Sequence, residues 1–187
     1  IELLDYTYNL NPNVSFNNNE YIIKLIVKLN KYEILKWYFN NFKFDDLHFD
    51  DNYLYYTAIV SKNINIIELL FENDNIDKFN QDLKKYVNIT SFVKDLYIFK
   101  WFENKLDDID LTFYNKLIHN SIVSNNLIIL KYLLDKNDID INYDDGLIIR
   151  TAFGNNLNDI VEYLFGKYDN INVLVKNQII MKYAIED

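Results

Sequence analysis

The chain has 187 residues, of which 50% are hydrophobic and 25% charged, and this composition excludes a disordered protein because it supplies a full apolar core. The absence of cysteine excludes a disulfide-linked scaffold and a thiolate zinc site. A net charge of -9 would repel a phosphate backbone, so we expect no nucleic-acid partner. Polar residues interrupt every apolar stretch, so we also expect no membrane span.

Residue usage is strongly biased. The chain holds 29 Asn and 26 Ile but only three Ala, and Arg150 is its single arginine. The abundant residues have A/T-rich codons and the rare ones have G/C-rich codons. The bias therefore indicates an A/T-rich genome rather than a chemical demand on the protein.

Five segments, taken in chain order, align without a gap and start 31 or 32 residues apart. The starts are Tyr21, Tyr53, Lys85, Lys116 and Leu147, and a partial sixth copy starts at Ile179. A fixed period of this length predicts a single array, over residues 1–187, of one repeated helical unit. Residues 1–20 are predicted to hold the end of a preceding repeat and its loop, because Ile1–Leu4 is identical to Ile67–Leu70. We therefore expect the array to be the middle of a longer one.

Each copy predicts two short helices. The first helix has pairs of inward-facing residues three apart: Ile23/Ile26, Tyr55/Ala58, Val87/Thr90, Ile118/Ser121 and Ile149/Ala152. The second helix has adjacent apolar pairs: Ile34–Leu35, Ile66–Ile67, Ile98–Phe99, Ile129–Leu130 and Ile160–Val161. One turn later follow Tyr38, Leu70, Phe102, Leu133 and Leu164. Neither helix can bury its apolar stripe alone, so we predict an all-α fold of stacked helix-turn-helix units.

The segments between the helices carry turn and cap residues. A left-handed residue is expected at one aligned position between the two helices of each copy, where Asn is favoured: Asn30, Lys62, Lys94, Asn125 and Asn156. N-caps of the first helices are expected at Asn19, Asp51, Asp82, Asn115 and Asp145. Polar stretches such as Asp135–Gly146 are predicted to be hairpin-like loops between copies.

The array resembles the ankyrin repeat family. The first-helix signature of that family, T-P-L-H-x-A, is similar to Lys116–Ser121, with His119 at its histidine position. The second-helix signature, L-E-I-V-K-L-L-L, is similar to Leu127–Leu134. No copy has the Thr-Pro pair or the Gly-Ala turn of the family. The resemblance implies a solenoid of stacked helix-turn-helix units, and it gives His119 a structural, hydrogen-bonding role.

Candidate chemistry is sparse. The two histidines, His48 and His119, are 71 residues apart, and a metal site needs three or more converging ligands. Asp138–Asn142 has the alternating oxygens of a calcium loop, but Tyr143 and Ile149 stand where that loop needs Gly and Glu. Paired carboxylates fall in predicted loops, where solvated turns are the simplest account. We expect no metal, no cofactor and no enzymatic activity.

Function is therefore expected to reside in recognition of another protein. The ankyrin resemblance implies a concave surface made of loop tips and exposed first-helix residues. The predicted tip residues are Phe49, Asp50, Asn52, Asp82, Lys84, Phe113, Tyr143 and Asp144. The predicted first-helix contacts are Phe92, Ser124 and Asn155, with Phe92 as the main anchor. Phe92 and Phe113 have an alternative role, which is packing against the adjacent copy.

Two classes of function stay open. In the first, the array is an adaptor or scaffold that recruits a partner, and its acidic tips favour a partner with a basic patch. Similar arrays of large DNA viruses often carry a C-terminal F-box-like segment that engages a ubiquitin-ligase subunit, so the resemblance implies such an extension and an intracellular site, in the host cytoplasm or the virion. In the second, the array is a structural component of a larger particle or complex.

Overall fold

The computed structural model describes residues 20–44, 46–107, 110–136 and 139–172, together with 174, 175, 177, 178 and 181. All regular secondary structure in these ranges is helical. The helices are α1 Glu20–Lys28, α2 Tyr32–Asn41, α3 Phe49–Val60, α4 Ile64–Glu72, α5 Ile76–Thr90, α6 Leu96–Glu103, α7 Leu111–Val123, α8 Leu127–Lys136, α9 Tyr143–Gly154 and α10 Asn158–Lys167. The all-α prediction is confirmed for this part of the chain.

The chain forms two compact units, unit 1 (Ile1–Ile89) and unit 2 (Thr90–Asp187). In unit 1, α1 pairs with α2 and α3 pairs with α4 as helical hairpins. The first helices α1 and α3 pack on each other, and so do the second helices α2 and α4. Consecutive hairpins in this unit therefore stack in the same orientation.

Unit 2 repeats this arrangement. Helix α7 pairs with α8, and α9 pairs with α10. The first helices α7 and α9 pack on each other, and the second helix α6 packs on α8. In each unit, first helices therefore pack on first helices and second helices on second helices, and this packing buries their apolar stripes.

The predicted apolar stripe forms the core. Of the fifteen predicted residues of the second helices, only Ile34 is not fully buried, and Leu35, Leu70, Phe102, Leu133 and Leu164 are completely inaccessible. All ten predicted residues of the first helices are buried, including the polar Thr90 and Ser121. The sequence pattern thus identified the core correctly, because apolar residues on one face of a short helix have only the neighbouring helices to cover them.

The predicted left-handed turns are confirmed in four copies. Asn30, Lys62, Asn125 and Asn156 have φ between 50° and 58°. Lys94, at the aligned position of the third copy, does not have a positive φ. The third copy also has the longest first helix, so its turn is built differently.

The predicted caps of the first helices are wrong wherever the structure describes them. Asp82 and Asn115 lie inside α5 and α7, and Asp51 has a φ of 56° rather than an extended conformation. Helix α9 already begins at Tyr143, before Asp145, and Asn19 lies outside the described residues. Helix α7 is instead capped by Asp110, whose carboxylate accepts the backbone N–H of Phe113 at 2.7 Å. The helices begin earlier than the repeat alignment indicates, so their caps lie further upstream.

Side-chain caps occur at one aligned position of the second helices, immediately after the position where a left-handed residue was predicted. Asn63, Asp95 and Asn126 each accept a backbone N–H from the first turn of α4, α6 and α8. Lys31 and Leu157, at the same position in the outer copies, provide no such bond. The repeat therefore has a capping position that the sequence analysis did not identify.

Helix α5 replaces a predicted loop. Residues 81–84 were expected at a loop tip, but they lie within Ile76–Thr90. The side chain of Asn75 accepts the backbone N–H groups of Asp77 and Lys78 and so starts the helix early. Phe79, Leu83 and Val87 then form a buried stripe with helical spacing.

None of the helices in the described ranges combines the length and the apolar character that are needed to cross a membrane.

Candidate functional site

The structure separates the predicted partner-binding residues by exposure. Six of them are exposed: Asp50, Lys84, Phe92, Tyr143, Asp144 and Asn155. Four are half-buried: Phe49, Asp82, Phe113 and Ser124. Asn52 is only 3% exposed, so its assignment to a solvent-facing loop tip is wrong. Its side chain accepts a hydrogen bond from the Tyr86 hydroxyl at 2.7 Å, which holds it inside unit 1.

Two residues that were predicted to contact a partner, Ser124 and Asn155, instead hydrogen-bond to the ends of their own first helices. The Ser124 hydroxyl donates to the backbone carbonyl of Asn120 at 2.7 Å. The Asn155 amide donates to the carbonyl of Thr151 at the same distance. Both residues follow the last turn of a first helix, where carbonyl groups lack partners within the helix. Their side chains therefore satisfy backbone acceptors of the helix that they end.

One of the exposed residues predicted at a loop tip, Tyr143, lines a groove between α7 and α9, which we call the α7–α9 groove. Seven residues line it: Asn115, His119, Ile122, Tyr143, Leu147, Ile148 and Thr151. All of them belong to the first helices of unit 2. The groove is shallow, with an accessible volume of about 30 Å³. This volume is too small to enclose a drug-sized molecule, so the groove suits contact with part of a partner's side chain.

The α7–α9 groove combines an apolar floor with unused hydrogen-bonding groups. Ile122, Leu147 and Ile148 form the floor. Four polar side chains surround it, and none of them hydrogen-bonds to another described residue: Asn115, His119, Tyr143 and Thr151. The groove therefore offers donors and acceptors to a ligand.

His119 does not have the structural role that the ankyrin resemblance implied. Its side chain is exposed and lines the groove. The family's hydrogen bond needs a threonine at the start of the motif, and Lys116 stands at that position here. The imidazole is therefore available as a surface donor or acceptor.

An aligned position on the first helices exposes apolar side chains in three copies. Val60, Phe92 and Val123 are 51%, 46% and 49% exposed, respectively. Lys28 and Gly154 occupy this position in the outer copies. Val60 and Val123 are the last residues of α3 and α7, whereas Phe92 lies two residues beyond the end of α5, outside the first helix on which it was predicted. Each unit therefore presents apolar surface at or just after the end of a first helix.

Unit 1 contains a buried polar group that the sequence analysis did not predict. We call it the His48 cluster; it consists of His48, Asn52, Tyr55, Asp74, Asp82 and Tyr86. The His48 Nε2 atom is 2.9 Å from an Asp74 carboxylate oxygen, and Nδ1 is 3.1 Å from Asp82. Tyr55 donates to Asp74 at 2.8 Å. The cluster joins the segment before α3 to the α4–α5 loop and to α5.

Burial and negative charge both act on the tyrosines of the His48 cluster. Desolvation is the largest cause that raises the pKa of Tyr55 above its ordinary range, and the Asp74 carboxylate adds to it. Desolvation likewise raises the pKa of Tyr86, with contributions from Asp82 and Asp74. Outside the cluster, the hydrogen bond from Lys78 lowers the pKa of Asp46. Both tyrosines therefore keep their protons and act as donors at neutral pH.

Metal ligation does not account for this cluster. Within the described ranges, no group of three or more His, Asp or Glu side chains has an arrangement that could hold a metal ion. The ring nitrogens of His48 already face protein oxygens at hydrogen-bonding distance. The cluster is better described as an internal hydrogen-bond network.

No protein-family model matches this chain, and no curated protein or solved structure is significantly similar to it.

Proposed function

We propose that the chain is an ankyrin-like repeat array that binds another protein through the α7–α9 groove of unit 2. The observation that carries this proposal is the groove's set of unpartnered polar side chains around an apolar floor. The stacking of like helices in each unit and the left-handed turns at the repeat period support the ankyrin-like assignment.

The groove also favours a particular kind of partner segment. An apolar side chain of the partner would cover Leu147 and Ile148, which are half-buried, while its backbone would pair with the amide of Asn115 and the imidazole of His119. Tyr143 is 60% exposed and contributes a large amphipathic surface, which is typical of residues that dominate binding. The net charge of -9 and the exposed Asp144 favour basic residues beside that apolar side chain.

Site-specific photo-crosslinking tests this proposal in the cells that make the protein. One variant carries a photoreactive residue at Tyr143, and the control carries it at Tyr97. Tyr97 is 64% exposed and also belongs to unit 2, but it lies on the second helix α6. We expect one protein to crosslink from position 143 and not from position 97.

The crosslinked partner, once purified, allows a quantitative test. Tyr143→Ala should weaken its affinity at least about fivefold, whereas Tyr97→Ala should leave it unchanged. Equal crosslinking from both positions, or an unchanged affinity of Tyr143→Ala, would reject the groove as the binding surface. Crosslinking from both positions to many copies of one particle protein would instead favour the structural, assembly role.

Phe92 provides a second test of the binding face. Because its side chain is 46% exposed, Phe92→Ala should change the urea midpoint little. If the exposed first-helix position belongs to the interface, the same change should weaken the crosslinked partner's affinity. A large loss of stability would mean that Phe92 packs against the adjacent copy, which is the alternative role.

A further inference from the structure

Helix α9 also borders a second cavity, which we call the Arg150 cavity. Five described residues line it: Arg150, Asn172, Leu174, Val175 and Gln178. Its accessible volume is about 250 Å³, compared with about 30 Å³ for the α7–α9 groove. Val175 packs directly on α9, because a methyl group added to Gly146 would lie 3.3 Å from it. The cavity is therefore wide enough to take a whole side chain of a partner.

The polar side chains of the Arg150 cavity offer N–H donors. The guanidinium of Arg150 has several N–H groups, and one of its nitrogens donates to the backbone carbonyl of Asp144 at 2.9 Å. Arg150 makes no ion pair with any carboxylate of the described residues. The side-chain oxygen of Asn172 accepts the backbone N–H of Leu174 at 2.9 Å, which leaves the NH₂ group of Asn172 for another partner. The cavity therefore has donors to spare.

A carboxylate complements this cavity. No Asp or Glu belongs to its described lining, although the chain as a whole has a net charge of -9 and Arg150 is its single arginine. A guanidinium binds a carboxylate through paired, parallel N–H···O bonds, a geometry that the point charge of lysine does not provide. Leu174 is 72% exposed and offers apolar surface to the methylene groups of an acidic side chain.

Arg150 and His119 occupy the same position in successive copies. His119 is the fourth residue of the copy that starts at Lys116, and Arg150 is the fourth residue of the copy that starts at Leu147. His119 lines the groove between α7 and α9, and Arg150 lines the cavity between α9 and the segment that follows α10. The groove and the cavity are therefore equivalent places on successive copies within unit 2. Packed helices lie about 8–10 Å apart, a distance that about three residues of an extended chain span.

We propose that the Arg150 cavity binds a carboxylate of the same partner segment whose apolar side chain covers the α7–α9 groove. This inference rests on the proposed function and adds a sequence requirement to it, which is an acidic residue about three positions from the apolar one. Arg150 holds the carboxylate through its guanidinium, and the amides of Asn172 and Gln178 donate to the same oxygens. The requirement is additional to the basic residues that Asp144 favours.

Arginine side-chain NMR of the full chain tests the cavity directly, because Arg150 gives its only arginine Nε–H signal. The probes are acetyl-Leu-Gly-Gly-Glu-amide and the reverse-order peptide acetyl-Glu-Gly-Gly-Leu-amide, and the control peptides carry Gln in place of Glu. We expect a Glu peptide to shift the Arg150 signal saturably and the Gln peptides to leave it in place. An Arg150 signal that neither Glu peptide moves, or that Glu and Gln peptides move equally, would overturn the inference.

The same titration separates this inference from the proposed function. The His119 imidazole lines the groove and reports on it in the same sample. A response of His119 without a response of Arg150 would reject the carboxylate site and leave the groove standing. Crosslinking from position 143 tests the groove without reference to Arg150.

The crosslinked partner supplies a measurement on variants. Arg150→Gln should weaken its affinity at least about tenfold because charge-assisted hydrogen bonds are lost, and Arg150→Lys should retain part of it because the charge stays without the planar fork. The matched control is Lys131→Gln, which removes the same charge from an exposed position on the second helix α8 and should leave the affinity unchanged. Equal losses in Arg150→Gln and Lys131→Gln would mean that net charge alone acts, and the carboxylate site would be rejected.

Discussion

The Glu103 carboxylate lies 3.1 Å from the ammonium group of Lys136, and only 1% of the Glu103 side chain is exposed. The Tyr132 hydroxyl donates to the same carboxylate at 2.6 Å, and the Tyr114 hydroxyl donates to it at 3.4 Å. A buried carboxylate needs such partners because it has lost its hydration. Glu103 therefore joins α6, α7 and α8 within unit 2.

Removal of this carboxylate should destabilise the protein. Glu103→Ala leaves two tyrosine hydroxyls and a lysine without their shared acceptor, so we expect the free energy of unfolding to fall by about 2–4 kcal/mol. Glu103→Gln keeps an acceptor and should lose less. The control is Glu72→Ala, because Glu72 is also the last residue of a second helix but is exposed. We expect Glu72→Ala to change the free energy of unfolding by no more than about 0.5 kcal/mol. Equal urea midpoints for Glu103→Ala and Glu72→Ala would contradict this prediction.

The protein should lose stability in alkaline solution. Burial raises the pKa of Tyr38 to about 12. Burial lowers the pKa of Lys136, but the hydrogen bond and charge of Glu103 raise it by more, to about 12. In the unfolded chain these groups lose their protons from about pH 10. The folded chain therefore binds more protons above that pH, and the free energy of unfolding should fall as the pH rises towards 12.

Urea midpoints measured across this alkaline range, together with tyrosinate absorbance, check the effect. Tyr38→Phe should reduce the slope of stability against pH. If all tyrosines ionised near about pH 10 in a chain that stays folded, the raised pKa of Tyr38 would be refuted.

The left-handed turn at Lys62 should accept glycine with a gain in stability. Lys62 has a φ of 56°, which places its Cβ close to the following carbonyl oxygen. Lys62→Gly removes this contact but adds freedom to the unfolded chain, so we expect a net gain of about 0.5–1 kcal/mol. Lys94→Gly, at the aligned position without a positive φ, should instead lose about 0.5–1 kcal/mol. Thermal unfolding that ranks the two variants in the opposite order would show that the turns are assigned wrongly.

Replacing two glycines with alanine should change the free energy of unfolding in opposite directions. Gly146 has a φ of 72°, and a methyl group added to it would lie 3.3 Å from a methyl carbon of Val175. Gly146→Ala should therefore lower the free energy of unfolding by about 1–2 kcal/mol. Gly166 lies within α10 with open space around it. Gly166→Ala should therefore raise the free energy of unfolding by about 0.4–1 kcal/mol. Calorimetry on the two variants checks both signs, and destabilisation by Gly166→Ala would refute the helical placement.

Much of the fold could be predicted from the sequence because the residues that define the helices and their buried faces recur locally in each copy. The residues that cover each helix recur every 31 or 32 positions, so the buried stripe at Leu35, Ile67 and Leu130 follows from helical spacing alone. The left-handed turn at Asn30 and its counterparts follows from the same register. Helix starts were predicted less well, since Asn75 and Asp110 act as caps upstream of the aligned segments.

The candidate sites depended on pairings that no local pattern contains. His48 meets Asp82 and Tyr86, which lie 34 and 38 residues later in the chain. Asn52 looked like a loop-tip residue and is buried because these partners surround it. The groove likewise combines His119 with Tyr143 from the next first helix. Outward-facing polar residues on consecutive first helices were the available signal for this groove.

By itself, the sequence determined the helical class, the repeat period and the apolar core, because helical periodicity and the burial of apolar side chains act within each copy. Only the tertiary structure decided which polar side chains are buried and which are exposed to a partner. Stacking brings residues of successive copies within hydrogen-bonding distance, and it buries the His48 imidazole while leaving His119 exposed. The two histidines therefore have different environments, set by the neighbours that stacking brings to each.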